Sequence, residues 1–304
     1  MAASRTAGRL LPGPRRILLL CAAIWRAVFF AAANPSNSPW TFNLDIPPPL
    51  GQEHSLYMDK DEIVDLGNGK RLTVDDIVTG FEYLFEKRVL YDKQRWKGMI
   101  MEQNPLDAFA IQHFLYKTKP DVLIEFGTNT GGAAVFYAEI MTSYNPGAHV
   151  ITIDPHDRVH RSHTGVIPDV LASSSPMWGS TIRHIVGHPA WKNVTSRVAS
   201  LVREFNASNV FIIEDGRHRL DSVLGNLLKY HGHISPCGWI LVQDTRLDRT
   251  LHRVGTGPAA AVVQFLNIVP HYRIRRDFEY YLFTSNPAGW LQRVPPNTEC
   301  VIEW

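Results

Sequence analysis

Asp121–Gly132 reads DVLIEFGTNTGG, and the fold is decided there. Val122, Leu123, Ile124 and Phe126 form a short, nearly continuous apolar run, the pattern of a parallel strand buried on both faces. A glycine-rich turn follows, and GAAVFYAEIM from Gly132 continues as a helix. Strand, glycine turn and helix open an α/β domain that binds its ligand at the strand's carboxyl end. A dinucleotide site needs G-x-G-x-x-G, whose second glycine admits a pyrophosphate. That position is Asn129 here, so the dinucleotide reading fails. The pattern is Glu-x-Gly-x-x-x-Gly-Gly, with Glu125 near the strand end. A carboxylate there repels phosphate and suits a ligand with a free ammonium group. Gly127, Thr128, Asn129 and Gly131 would border that ligand; an ordinary turn whose glycines serve only packing is the competing reading.

The rest of the chain supplies matching strands. HVITID ends in Asp154, where an acid can accept both hydroxyls of a ribose or simply cap the next helix. TIRHIVG, residues 181–187, is a third strand, placing Gly187 and His188 near an adenine. VFII ends in Glu214-Asp215-Gly216-Arg217-His218, and GWILV ends in Gln243-Asp244. Two neighbouring strands therefore finish in acids on one edge. Asp215, Gln243 and Asp244 offer the hard oxygen donors that Mg²⁺ takes. His218, three residues after Asp215 and expected on the first turn of the next helix, is placed to take a proton from a hydroxyl. Two closing strands are expected at 272–274 and 280–284.

Before the first core strand, Thr73-Val-Asp-Asp starts a helical pattern through Ile77, Val78, Phe81, Leu84 and Phe85. Asn104-Pro105 opens a second helix. Arg95–Gly98 between them reads as a basic, aromatic loop, with Trp96 either over the ligand or capping the core. The long stretch 155–180 carries His156, Arg158, His160, Arg161 and His163 and reads as a solvated lid. Arg246, Arg249 and Arg253 read as a solvated loop with the option of a sugar or anion contact.

Composition excludes other classes. The chain has 304 residues, a formal charge of +2 and 45% hydrophobic residues, enough for a full core and without the field a nucleic-acid partner requires. Its three cysteines form no zinc-ligand pair; Cys237 and Cys300 are read either as a pair in a secreted protein or as two buried thiols. Asp45 is the first acid of the chain. Arginines, an apolar run and small residues before Asn34 fit a signal peptide at 1–33 and the secretory route, with a mitochondrial or plastid transit peptide as the rival and an uncleaved signal anchor as a third reading. Residues 34–94 read as a linker and helical extension, and 95–304 as the main domain. The sequons at Asn193 and Asn206 suit a glycoprotein.

Glu125–Gly132, IIEDGRH, SPCGWILVQDT, TGPAAAVVQFL and YLFTSNPAGWLQRV together resemble the cephalosporin hydroxylase family, which includes rhamnosyl O-methyltransferases. The resemblance runs from about Arg95 to Val294. It implies a Rossmann-like class I methyltransferase fold with a mostly parallel seven-stranded sheet, S-adenosylmethionine as cofactor, and a Mg²⁺ site at Asp215, Gln243 and Asp244. Gln243 stands where the family commonly has Glu, and Arg217 where it has an acid. The spacing of Asp215 and His218 is also similar to that in catechol O-methyltransferase. The expected activity is O-methylation of a small molecule or carbohydrate substrate, without nucleic acid; a homo-oligomer is compatible with it. A metal-dependent hydroxylase and a non-catalytic binding protein on the same fold are the alternatives.

Overall fold

The structure is a computed structural model, and it describes residues 61–250, 256–279 and 281–301. Residues 1–60, with the leader and linker expected there, lie outside the described residues, as do Tyr280 and Arg253.

Eleven strands and seven α-helices are described. Strands β1 (Ile63–Asp65) and β2 (Arg71–Thr73) form a hairpin before helix α1 (Val74–Lys87). Thr73 caps α1 with a reciprocal capping box to Asp76, satisfying two backbone N–H groups at the helix start. Arg95–Gly98 is not a loop. It is the turn region of a second hairpin, β3 (Arg95–Trp96) and β4 (Met99–Ile100). Lys97 and Gly98 both take positive φ, 51° and 85°, as a two-residue turn matched to strand twist requires. Trp96 packs edge-on against Phe136 at 5.0 Å, and its Nε1 donates to Glu139. It caps the core and does not cover the ligand crevice.

Helix α2 (Pro105–Thr118) starts on an Asn104 cap. The core then alternates: β5 (Val122–Phe126), α3 (Gly132–Tyr144), β6 (His149–Asp154), β7 (Ile182–Val186), α4 (Lys192–Glu204), β8 (Val210–Glu214), α5 (Leu220–Tyr230), β9 (Trp239–Val242), α6 (Leu247–Thr250), α7 (Pro258–Ile268), β10 (Tyr272–Ile274) and β11 (Trp290–Arg293). The seven-stranded sheet runs β10-β11-β9-β8-β5-β6-β7. Pairings among β5 to β9 are parallel, and β11 is antiparallel to both its neighbours. The final strand is therefore 290–293, whereas 281–284 is irregular. The aromatic run there looks like a strand, but Phe283 leaves the sheet to stack on Phe81 of α1 at 4.2 Å.

β5 is central and all five of its residues are buried. One apolar cluster gathers Phe114, Phe136, Tyr137, Phe211, Phe278 and Trp290; the other, on the opposite face, gathers Ile124, Ile151, Val198, Ile212, Leu227 and Phe265. The order reverses on either side of β5, so a crevice opens at the carboxyl ends of β5, β6 and β8, where ligands of doubly wound sheets bind. Cys237 and Cys300 form a disulfide that ties the turn before β9 to the chain after β11. Among the described residues no helix is long and apolar enough to cross a membrane.

Candidate active site

The glycines of the β5 turn serve close approach of backbone. A Cβ on Gly127, whose φ is 100°, would lie 2.1 Å from the carbonyl oxygen of Asp215. One on Gly132 would lie 2.0 Å from the carbonyl oxygen of Ile100. Only glycine lets the turn sit between the end of β8 and the segment leading into α2. Gly131, also at positive φ, faces Trp178 and Ala172, and a Cβ on Gly187 would meet Val194 at 2.7 Å. Neither borders the cavity. These two glycines, expected at the cofactor, are packing positions.

The crevice is a cavity of about 1370 Å³. Gly127, Thr128, Asn129, Asp154, His188, Asp215, His218, Gln243 and Asp244 all border it, as the strand ends predict. Asp154 accepts backbone N–H bonds from Asn129 (3.1 Å) and His156 (2.8 Å). It thereby fastens the β5 turn to the start of the 155–180 segment.

Glu125 is placed differently from expectation. Its side chain is buried and outside the cavity. Thr152 Oγ1 donates to it at 2.5 Å, and Thr152 in turn bonds Thr128 Oγ1 at 2.6 Å. The strict alternation of a strand turns residue 125 inward, two hydrogen bonds behind the cavity wall. Burial pushes its carboxyl up to about 8, against the Thr152 bond. It cannot be the direct partner of a cationic ligand, and that reading is corrected.

At the ends of β8 and β9, Asp215, His218 and Asp244 each present one donor atom, all within 4.8 Å of one another. His218 Nε2 is 3.3 Å from Asp244 Oδ2. His218 lies just before α5, whose N-cap is Arg219, and not on its first turn. Burial and the charge of Asp244 push Asp215 well above the usual carboxylate range; a cation among these donors would relieve that repulsion. Gln243 faces Gln103, and the two amides exchange N–H···O bonds of 2.9 Å each way. Gln103 Nε2 also reaches Asp215 Oδ2 at 3.3 Å. The oxygen donors fit a divalent ion, with two oxygens of the expected set, Asp215 Oδ2 and Gln243 Oε1, already accepting from Gln103.

Several participants were not legible in sequence. Gln103 and Glu102 sit in the short connection before Asn104. Arg246 is buried, pairs with Glu86 of α1 and with Asp244 at 3.3 Å, and borders the cavity; it is not on a solvated loop. Ser285 and Asn286 border the cavity as well, and the Asp244 N–H donates to Asn286 Oδ1 at 2.9 Å. Of the 155–180 histidines, His156 and His163 border the cavity while His160 does not. His163 bonds Glu102 at 2.7 Å, so this segment is partly fastened and not simply solvated. The only signal for these contacts was proximity to chemistry-bearing strand ends.

A seven-stranded sheet with a single antiparallel member next to the edge, a glycine turn fastened by Asp154 at the carboxyl end of the central strand, and an oxygen-donor cluster beside it have the architecture of a class I methyltransferase. Residues 87–294 match the family described as Rhamnosyl O-methyltransferase/CmcI. The chain belongs to this family of S-adenosylmethionine-dependent O-methyltransferases. It is 24% identical over 218 residues to the rhamnosyl O-methyltransferase of Mycobacterium tuberculosis (strain H37Rv), covering 71% of this chain and 82% of the relative. Among solved structures it is similar to apo CmcI-N160 (TM-score 0.49, 16% identity, 67% of this chain and 77% of that one). It is also similar to CmcI-D160 with Mg and S-adenosylmethionine (TM-score 0.45, 16% identity, 67% and 78%).

Proposed function

We propose that this protein methylates a hydroxyl of a sugar or a hydroxylated small molecule, with a Mg²⁺-class ion in the donor cluster. The observation that carries the reading is the convergence of Asp215, His218 and Asp244 next to the glycine turn. When bound, S-adenosylmethionine supplies an activated methyl group and the ion lowers the pKa of the acceptor hydroxyl. Asp154 and His188 would flank the nucleoside, and Gly127, Thr128 and Asn129, which border the cavity with them, would form the floor beneath it. Asp215 and Asp244 would hold the ion, with Gln243 as a neutral oxygen donor. His218 takes the hydroxyl proton, and Asp244 at 3.3 Å stabilises the imidazolium that results.

The acceptor end of the cavity supports a polyhydroxylated substrate. Tyr91, Asn104, Ser285 and Asn286 offer hydrogen-bonding groups and Phe85 an aromatic face. The cluster has one imidazole and two carboxylates, the reverse of the two-histidine, one-carboxylate set of iron oxygenases, which favours methyl transfer over hydroxylation. Calorimetric titration with S-adenosylmethionine tests the reading; no binding at millimolar cofactor would refute it.

The proposed compartment is the secretory lumen. The Cys237–Cys300 disulfide suits an oxidising environment, and Asn193 and Asn206 of the two sequons are exposed. A mass shift of the native protein on enzymatic deglycosylation would support it; reduced, unmodified protein from its natural source would contradict it.

A further inference from the structure

Five carboxylates among the described residues border the cavity: Glu86, Glu102, Asp154, Asp215 and Asp244. Four are engaged or gathered. Glu86 pairs with Arg246, Asp154 holds two backbone N–H groups, and Asp215 and Asp244 belong to the donor cluster. Glu102 differs. His163 Nδ1 bonds its Oε2 at 2.7 Å, and its side chain is only 9% exposed. Its Oε1 is buried without a hydrogen-bond partner. Leaving a buried acceptor unsatisfied is costly, and more so for a charged group.

The position of Glu102 along the crevice gives its ligand. The segment from Met99 to Gln103 lies directly on the glycine turn: Thr130 Oγ1 donates to the Ile100 carbonyl at 2.8 Å, and Gly132 is a glycine to admit that carbonyl. The next residue, Gln103, touches Asp215. Glu102 therefore stands between the turn and the donor cluster. His163, its partner, also donates its backbone N–H to Asn129 Oδ1 at 3.2 Å, so one residue of the 155–180 segment is pinned to both the carboxylate and the turn. Glu102, Asn129 and Asp244 all hold left-handed backbone, with φ of 51°, 46° and 56°.

We infer that Glu102 binds the ammonium group of the cofactor's amino-acid end, the role that Glu125 cannot fill. This rests on the S-adenosylmethionine reading above. An ammonium brings three donors and a full charge, enough to satisfy Oε1 with a charge-assisted bond. Burial opposes ionisation of Glu102, but the bond and charge of His163, with weaker help from Asn129 and Ser162, together outweigh it and hold the carboxyl below its ordinary range. The carboxylate is thus ready to receive a cation, and His163 orients it without occupying the second oxygen.

The test compares two nucleosides on the full-length protein by calorimetry. S-adenosylhomocysteine carries the amino-acid end; 5′-methylthioadenosine lacks it. Glu102→Gln is expected to weaken S-adenosylhomocysteine about tenfold or more, the loss of one charge-assisted contact, and to leave 5′-methylthioadenosine within about twofold. Unchanged S-adenosylhomocysteine binding, or equal loss of both ligands, would overturn the inference. Wild-type protein provides a second measurement that does not depend on the variant folding: a des-amino analogue of S-adenosylhomocysteine should bind about tenfold more weakly than the parent, and equal binding would count against an ammonium contact. Wild-type protein that binds neither nucleoside would instead refute the methyltransferase reading itself, and this inference with it.

Discussion

Gln103 and Gln243 face each other across the base of the cavity and exchange two hydrogen bonds of 2.9 Å. The pair sits where a third carboxylate would complete the donor set, and Gln103 reaches past it to Asp215. One charge fewer weakens the hold on a hard cation, since ligand charge count sets such affinities. Gln243→Glu is therefore expected to tighten Mg²⁺ binding about tenfold, read by calorimetry with Mg²⁺ alone. Unchanged affinity would mean that residue 243 does not contact the ion.

The donor cluster separates binding from chemistry. Asp215→Ala should reduce methyl transfer by about a hundredfold or more while S-adenosylhomocysteine affinity stays within about threefold. His218→Ala should lose about as much rate, as removal of a general base does, yet retain the ion. Loss of ion binding in His218→Ala would reassign that imidazole from base to ligand.

Glu125 makes stability depend on pH. Its folded carboxyl titrates at about 8, above the unfolded value near 4.5, so the folded state binds the extra proton between those values. Stability is then full below about pH 4.5 and is lost as pH rises through about 8. Glu125→Gln keeps an acceptor for Thr152 and removes the titration. Its melting temperature should exceed that of the wild type at pH 8 and converge with it near pH 5. Glu214, pushed up to about 8 mainly by burial, contributes in the same direction, so in Glu125→Gln the slope should be reduced and not abolished. Parallel melting curves for the two proteins across that range would contradict this account.

The disulfide closes a loop with a sequence separation of 63 residues. Cys237→Ser is expected to cost about 4 kcal/mol by loop entropy, measured by urea unfolding with the Cys300→Ser control. The bond lies near the amino ends of the strands, remote from the cavity residues, so activity of the folded fraction should be unchanged.

Asp248 is fully buried and accepts from the N–H groups of Gly257, Ala259 and Ala260, capping α7 from outside its own helix. Asp248→Ala leaves these donors unmet and should destabilise the protein by about 2–3 kcal/mol, visible as a lowered urea midpoint. A midpoint unmoved from wild type would show that water replaces the carboxylate.

The strands, the glycine turn, the acids at three strand ends and the capped helices were legible because each rests on local rules: apolar runs for buried strands, Asn-Pro and Thr-x-x-Asp for helix starts. The last strand was misplaced because the aromatic run 280–284 reads as a strand in isolation, while the sheet is closed by 290–293. Only packing against α1 took Phe283 out of the sheet. The inward turn of Glu125 was in principle available from strand alternation, but an acid in a buried strand invited a ligand reading over a hydrogen bond to Thr152.

Residue pattern alone determined which edge of the sheet carries chemistry, since the order of strand and turn fixes where acids emerge. Tertiary structure decided which of those acids face the cavity and what meets them. Glu102 lies 113 positions before Asp215 in the chain, and Gln103 lies 140 before Gln243; no local rule links residues so distant. Their meeting depends on the segment before α2 lying across the glycine turn, which the missing side chain at Gly132 permits.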